Sequence, residues 1–176
     1  MYKIFVNIAS YKDPDLLNTI NDAFYRAKYP SRIFIGVSEQ GNNPTKFVNN
    51  NKNIRYKFTH YKTGKGTGFH RNEIYKELYE GEDFCFTVDS HCRFKQNWDE
   101  IYVNALLKRG ENTILTGFPP NFDFDESYHY YTTERPHNTY NVILRLGNYY
   151  NISGKGVGVQ DDFKETAVVS GSNTFS

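Results

Sequence analysis

Cysteine is scarce in this chain: Cys85 and Cys92 are the only two among 176 residues. Two cysteines in a chain this long do not make the disulfide framework of a small secreted domain. Cys85 lies inside an apolar run and Cys92 beyond the turn that follows, an arrangement that does not suggest a bridge. Long apolar runs are missing too, and no stretch approaches the ~18 residues of a membrane-spanning helix. The N-terminus has no basic segment followed by an apolar core; it starts directly with the strand pattern Tyr2-Lys3-Ile4-Phe5-Val6-Asn7-Ile8. Charge of one sign is also lacking. Lys+Arg 21 against Asp+Glu 20 leaves a net charge of +1, which argues against an electrostatic nucleic-acid footprint. The expected setting is soluble, reducing and cytoplasmic, with no membrane and no nucleic-acid partner.

Nucleotide-loop spacing is absent from both glycine clusters. Gly64-Lys65-Gly66-Thr67-Gly68 does not fit G-x-G-x-x-G, and its lysine is not followed by Ser or Thr as a P-loop requires. Gly154-Lys155-Gly156-Val157-Gly158 fails both tests as well. Each is expected to be a mobile loop. Aromatic residues, by contrast, are abundant, with Tyr 15 and Phe 14, enough to supply core, stacking surfaces and hydroxyl donors together.

The pattern of apolar residues alternates between strand and helix. Ile4 to Ala9 reads as a first strand. Asp13 is the expected N-cap of the following helix and Pro14 its first helical residue. Leu16, Leu17, Ile20, Ala23, Phe24 and Ala27 then recur at helical spacing up to Pro30. Arg32 to Ser38 is a second strand, 40–53 a loop, and Ile54 to Tyr61 a third strand. A helix from Phe69 to Tyr79, a strand from Asp83 to Asp89, a helix from Trp98 to Lys108 and a strand from Thr113 to Gly117 follow. This rhythm predicts an α/β fold with a mostly parallel sheet and flanking helices. The last third is less regular. Pro119 to Asn138 is expected to be a long functional loop, Asn141 to Leu146 a strand, and Ala167 to Ser170 the start of another. No repeat or linker divides the chain, so a single domain spans 1–176.

The densest chemistry lies in Phe84-Cys85-Phe86-Thr87-Val88-Asp89-Ser90-His91-Cys92-Arg93-Phe94. The apolar strand stops at Asp89, and ligands of open α/β sheets bind outside the carboxyl ends of strands. Residues i and i+2 of an extended segment point to one side, roughly 7 Å apart at Cα, so Asp89 and His91 could converge on one cation. Oxygen plus imidazole suits Mn²⁺ or a similar divalent ion, which can clamp a diphosphate. Arg71 falls early in the preceding helix, where a guanidinium can pair with a diphosphate in bidentate fashion.

These motifs occur in an order that resembles a known family. Ser10-Tyr11-x-Asp13-Pro14, Gly36-Val37-x-x-Gln40, Gly68-x-x-Arg71-Asn72, Gly81-Glu82 and Asp89-Ser90-His91-x-Arg93-Phe94-x-x-x-Trp98-Asp99 are similar to nucleotide-sugar glycosyltransferases of the GT-A fold. More narrowly, they resemble the GlcNAc-transferase family that includes cytoplasmic enzymes modifying hydroxyproline. The Asp-Ser-His-Cys string is also similar to the metal motif of mucin-type polypeptide GalNAc-transferases. The resemblance covers about residues 4 to 118, the nucleotide-sugar-binding half, and weakens over 119–176. The later Gly-Glu-Glu segment of that family has no counterpart, so part of the acceptor half is expected to be missing.

The resemblance implies a UDP-sugar donor, GlcNAc as the transferred sugar, and a protein or glycan hydroxyl as acceptor. It implies Mn²⁺ or Mg²⁺ held by Asp89 and His91 against the diphosphate, with Asp89, His91 and Arg71 as the catalytic set. Ser10, Tyr11, Asp13, Gln40, Arg71, Asp89 and Ser90 would bind the nucleotide-sugar, with the Tyr11 ring stacking on uridine and Asp13 reaching uracil or ribose. Trp98 and Asp99 read as core and helix-start residues. His129 and His137 are conceivable third metal ligands. Two other readings stay open: a catalytically reduced module that binds nucleotide or glycan without transfer, and a metal-dependent phosphodiester or nucleotide hydrolase. The second would need a base near Asp89, and none is evident.

Overall fold

The computed structural model describes residues 2–47, 51–109, 114–116, 122–124, 130–132, 140–142, 154–156 and 174–175. The chain opens with β1 (Ile4–Tyr11), α1 (Leu16–Arg26), β2 (Ile33–Gly41) and β3 (Ile54–His60). It continues through α2 (Thr67–Glu77), β4 (Phe84–Asp89), α3 (Trp98–Arg109) and β5 (Leu115–Thr116). Five short strands complete the order: β6 (Phe122–Phe124), β7 (Tyr130–Thr132), β8 (Tyr140–Val142), β9 (Gly154–Gly156) and β10 (Thr174–Phe175).

The main sheet runs β3-β2-β1-β4-β10-β5. β1 pairs in parallel with both β2 and β4, and β2 with β3, so the first four strands form an all-parallel unit. β10 is antiparallel to β4 and to β5. The expected α/β Rossmann-type architecture is therefore the observed one. Strand order reverses between β1 and β4: the chain leaves β1 toward β2 and returns on its other side. That reversal opens a crevice at the carboxyl ends of the two strands.

Alternation along β1 assigns its residues to two cores. Ile4, Val6 and Ile8 pack with Leu16, Ile20 and Ala23 of α1 and with Trp98 and Leu106 of α3. Phe5 and Ala9 turn to the other face, against Ile74 of α2. A parallel strand covered on both faces reads as a continuous apolar run, as β1 and β2 do. The aromatic surplus is partly explained here: the Phe94 and Trp98 rings lie 4.9 Å apart, Phe86 and Tyr102 5.1 Å. The indole N–H of Trp98 donates to the Ala23 carbonyl at 2.9 Å, which satisfies the polar atom of a fully buried ring.

Several boundaries differ from the sequence expectation. α1 starts at Leu16 with Asp15 at the cap position, so Asp13 is not its N-cap and Pro14 is not helical. The Asp13 carboxylate instead accepts the Asp15 N–H at 2.9 Å and is drawn toward the loop after β4. α2 begins at Thr67, because Gly66 supplies the turn with φ +87. Residues 122–124 and 130–132, within the expected long loop, pair as antiparallel strands. Gly154–Gly156 pairs with β8 and is not the mobile loop expected of that cluster. The strand expected over 167–170 lies outside the described residues. No described helix is long and apolar enough to cross a membrane, and Cys85 and Cys92 are both free thiols.

Gly36 sets the distance between β2 and α2. A Cβ there would lie 2.4 Å from Phe5 Cζ and 2.8 Å from Ile74 Cγ2. Gly36→Ala is expected to destabilise the fold by about 1–3 kcal/mol through overpacking, read as a lower urea midpoint. Adding Phe5→Leu should recover part of the loss. An unchanged midpoint in Gly36→Ala would show that the helix–sheet spacing is not fixed here.

Candidate functional site

The crevice between the ends of β1 and β4 gathers most of the residues singled out by sequence. The strands pair Ala9 with Asp89, which puts Ser10 and Tyr11 just past the last paired level and Asp89 at the strand exit. Asp89 does not stand alone. Arg71, in the second turn of α2, donates from Nη2 to Asp89 Oδ1 at 2.7 Å. The buried Asn7 of β1 donates from its side-chain amide to the Arg71 carbonyl at 3.0 Å, which ties the helix backbone to the sheet at this point.

A second group forms around Asp13. Its Oδ2 accepts from Ser90 Oγ at 2.6 Å and lies 2.7 Å from His91 Nδ1. Burial raises the Asp13 pKa, but the hydrogen bonds from Ser90, His91 and the Asp15 backbone outweigh it and hold the carboxyl below its ordinary value. Asp13 is thus turned toward the loop after β4. The structure brings Asp13, Ser90 and His91 together, and separately Arg71 and Asp89. It shows no direct bond between the two groups. Among the described residues no three His, Cys, Asp or Glu side chains cluster as a complete metal site; His129 and His137 lie outside the described residues.

The loop carrying Ser90 and His91 is shaped from α1. Thr19, fully buried, donates to the carbonyls of Ser90 at 2.9 Å and Cys92 at 3.1 Å, and its oxygen accepts the Cys92 N–H at 2.9 Å. Arg93 forks onto Asp15 at 2.7 and 2.8 Å, and the Phe94 N–H donates to Asp22 at 2.7 Å. Asp99, placed by sequence in the first turn of α3, spends its carboxylate on the N–H groups of Lys28 and Tyr29 at 2.7 and 2.9 Å. Asp99 and Trp98 are structural, as expected. Thr19, Asp15 and Asp22 were not singled out from sequence, since helical polar residues carry no mark of a partner some 70 positions away.

On the β2 side, Gln40 is buried beside Tyr11, its partner in register. Its Oε1 would lie 2.2 Å from a Cβ on Gly64, so the glycine lets the loop close over the amide. Lys12, with φ 48, donates its N–H to the Gln40 carbonyl at 2.8 Å and lays its ammonium 3.3 Å over the Tyr61 ring. The Tyr11 ring is 56% exposed and open to a stacking partner. Ser10 is 1% exposed, and its hydroxyl has no hydrogen-bond partner among the described residues. Such a group costs about 1–3 kcal/mol unless something pairs with it.

A family model described as glycosyltransferase (GlcNAc) matches two overlapping segments, residues 3–50 and 45–149. The chain belongs to this glycosyltransferase family. Among curated proteins, none matches the chain. Membership of the GlcNAc glycosyltransferase family implies a sugar donor and an acceptor, and the match contains every residue of the crevice described above.

One buried histidine next to the site was also not singled out from sequence. His70 places Nδ1 2.9 Å from Ser38 Oγ, and its Nε2 accepts the Lys65 N–H at 3.4 Å, closing the Gly64–Gly68 segment onto β2. Burial disfavours the charged ring and lowers its pKa below the usual 6.5, with Glu73 opposing and Lys57 and Lys65 reinforcing the shift. The unfolded chain therefore takes up this proton at a higher pH than the folded chain. The contribution is fully present above pH 6.5 and is lost as pH falls through the lower folded value. Asp13, Glu73 and Glu82 are shifted down from carboxylate values and titrate below that window. The urea midpoint is expected to fall from about pH 7.5 to about pH 5.5, and to fall less in His70→Gln. Equal slopes in the two proteins would contradict the buried neutral histidine.

Proposed function

We propose that this glycosyltransferase transfers GlcNAc from UDP-GlcNAc to a hydroxyl acceptor, with Mn²⁺ or Mg²⁺ bound by Asp89 and His91. The observation that supports the reading is that the Arg71–Asp89 pair and the Asp13–Ser90–His91 group both lie at the carboxyl ends of β1 and β4, the strand-order reversal where open α/β sheets bind ligands. The donor chemistry fits a hard-to-borderline divalent ion. Arg71 engages Asp89 Oδ1 and leaves Oδ2, while His91 uses Nδ1 on Asp13 and leaves Nε2. When bound, such an ion neutralises charge on a leaving nucleoside diphosphate.

The chain's own residues would do the rest. Arg71, held by Asp89 through Nη2, would bring its positive charge and planar guanidinium to the diphosphate. Tyr11 offers its exposed ring to the base, and the unpartnered hydroxyl of Ser10 offers a hydrogen bond at the same strand end. Gln40, buried on β2 beside Tyr11 with its amide packed against Gly64, would shape the wall beside the nucleotide. Departure of the diphosphate leaves an oxocarbenium-like sugar, which the acceptor hydroxyl must meet within near-attack distance. We place the activity in a reducing, cytoplasmic setting, in keeping with two cysteines that are both free thiols.

Titration calorimetry with UDP tests the reading. Affinity is expected to require Mn²⁺ or Mg²⁺, to fall on adding EDTA, and to fall further for Asp89→Ala than for His91→Ala, since the former removes the formal charge facing the ion. Affinity indifferent to EDTA and to Asp89→Ala would sink it.

Arg71→Lys separates a phosphate contact from a structural one. It should weaken UDP about tenfold or more, the value of a charge-assisted hydrogen bond of roughly 1.5–3 kcal/mol, while uridine binding barely changes. Equal losses for uridine and UDP would mean that Arg71 serves only to hold Asp89 and the fold.

A further inference from the structure

We infer that Asp13 is a positioning residue that holds the His91 imidazole with its proton on Nδ1 and so turns the Nε2 lone pair toward a divalent cation. The inference rests on the cation reading above and goes beyond it by giving Asp13 a role other than nucleotide contact.

Three donors converge on the Asp13 carboxylate: Ser90 Oγ at 2.6 Å, the Asp15 N–H at 2.9 Å and His91 Nδ1 at 2.7 Å. An ionised carboxylate has only acceptor sites, so the proton in the third bond belongs to the imidazole. A neutral imidazole with a proton on Nδ1 must carry its lone pair on Nε2. Asp13 is shielded, with 14% of its side chain exposed, whereas the His91 ring is 65% exposed and has no other hydrogen bond among the described residues. The ring therefore depends on Asp13 for its orientation. The backbone beneath it does not, because Thr19 fixes the flanking carbonyls of Ser90 and Cys92 from α1.

This is the arrangement in which metal-binding histidines are usually held. Their second ring nitrogen donates to a carboxylate or carbonyl, which fixes the tautomer and raises the basicity of the ligating nitrogen. The carboxylate is shared between two elements: Oδ1 takes the Asp15 N–H ahead of α1, and Oδ2 takes Ser90 and His91 from the loop after β4. The ligand class that fits is a divalent cation taking imidazole nitrogen and carboxylate oxygen, Mn²⁺ above all.

The test uses the full chain labelled with ¹⁵N-histidine at about pH 8, without metal, with the His91 signals assigned by their loss in His91→Ala. Wild-type His91 should show a protonated Nδ1 and a pyridine-like Nε2. In Asp13→Asn that pattern should shift toward the Nε2–H tautomer, and Mn²⁺ affinity by electron paramagnetic resonance should drop about tenfold to a hundredfold, the usual effect of losing such a partner. Asp13→Glu, which keeps the acceptor, should retain more affinity than Asp13→Asn. A merely structural Asp13 would lower the melting temperature without moving the tautomer. Wild-type His91 protonated on Nε2 would overturn the inference, and needs no variant to fold. So would a folded Asp13→Asn that keeps both the Nδ1–H pattern and the Mn²⁺ affinity. If the tautomer behaves as expected but His91→Ala binds Mn²⁺ like wild type, the orientation stands and the cation reading is overturned.

Discussion

The loop that leaves β4 has no ladder of its own, and polar side chains of α1 impose its shape. Thr19 satisfies three backbone groups of Ser90 and Cys92, Asp15 grips Arg93, and Asp22 takes the Phe94 N–H. The same helix buries Leu16, Ile20 and Ala23 in the main core. The loop thereby inherits the rigidity of a packed helix, although it stands at the rim of the sheet. Every other feature of the crevice follows from that: Ser90 and His91 can meet Asp13 only because their backbone is pinned within reach of the β1–α1 turn. A buried hydroxyl bonded to two carbonyls and an N–H is a costly group to remove, since buried backbone groups would lose a partner.

Charge at the site is balanced locally. Asp89 ends β4 and Asp13 lies in the β1–α1 turn, and each has a partner supplied by the chain, Arg71 for Asp89 and the Ser90–His91 pair for Asp13. Arg71 and Asp89 are 18% and 36% exposed, and pairs of that exposure contribute about 0–1 kcal/mol. Their importance is geometric. The pair fixes the guanidinium and the carboxylate relative to each other at the end of β4. A structural ion pair elsewhere offers a contrast: Arg55 joins β3 to the buried Glu82 at 2.7 Å and to the Leu78 carbonyl at 2.6 Å, and spends its fork wholly on the fold.

Much of the parallel half was legible in the sequence because its signals are local. Apolar runs marked β1, β2 and β4, helical spacing marked α1, and the strand–helix rhythm implied parallel pairing. Trp98 and Asp99 were read as structural, and the structure agrees. What escaped depends on contacts distant in sequence. Asp13 looks like an N-cap followed by Pro14, and nothing nearby announces that Ser90 and His91, 77 and 78 positions later, compete for its carboxylate. Arg71 could be expected to face a diphosphate, but not to hold Asp89 meanwhile. His70 stood beside Arg71 in the same motif; its inward orientation follows from helix phase, since it lies four residues before the buried Ile74. The Gly154 cluster fails nucleotide-loop spacing and is expected to be a mobile loop, yet its backbone groups find partners in β8.

The central claim is that the crevice between β1 and β4 is a metal-assisted nucleotide-sugar site. A thermal-shift panel of UDP-, GDP-, ADP- and CMP-sugars, each with Mn²⁺ and with EDTA, tests it most directly. The account predicts that UDP-GlcNAc with Mn²⁺ raises the melting temperature, that EDTA removes the rise, and that the other nucleotides give little. An equal rise with every nucleotide sugar, or none with UDP-GlcNAc and Mn²⁺ together, would contradict it.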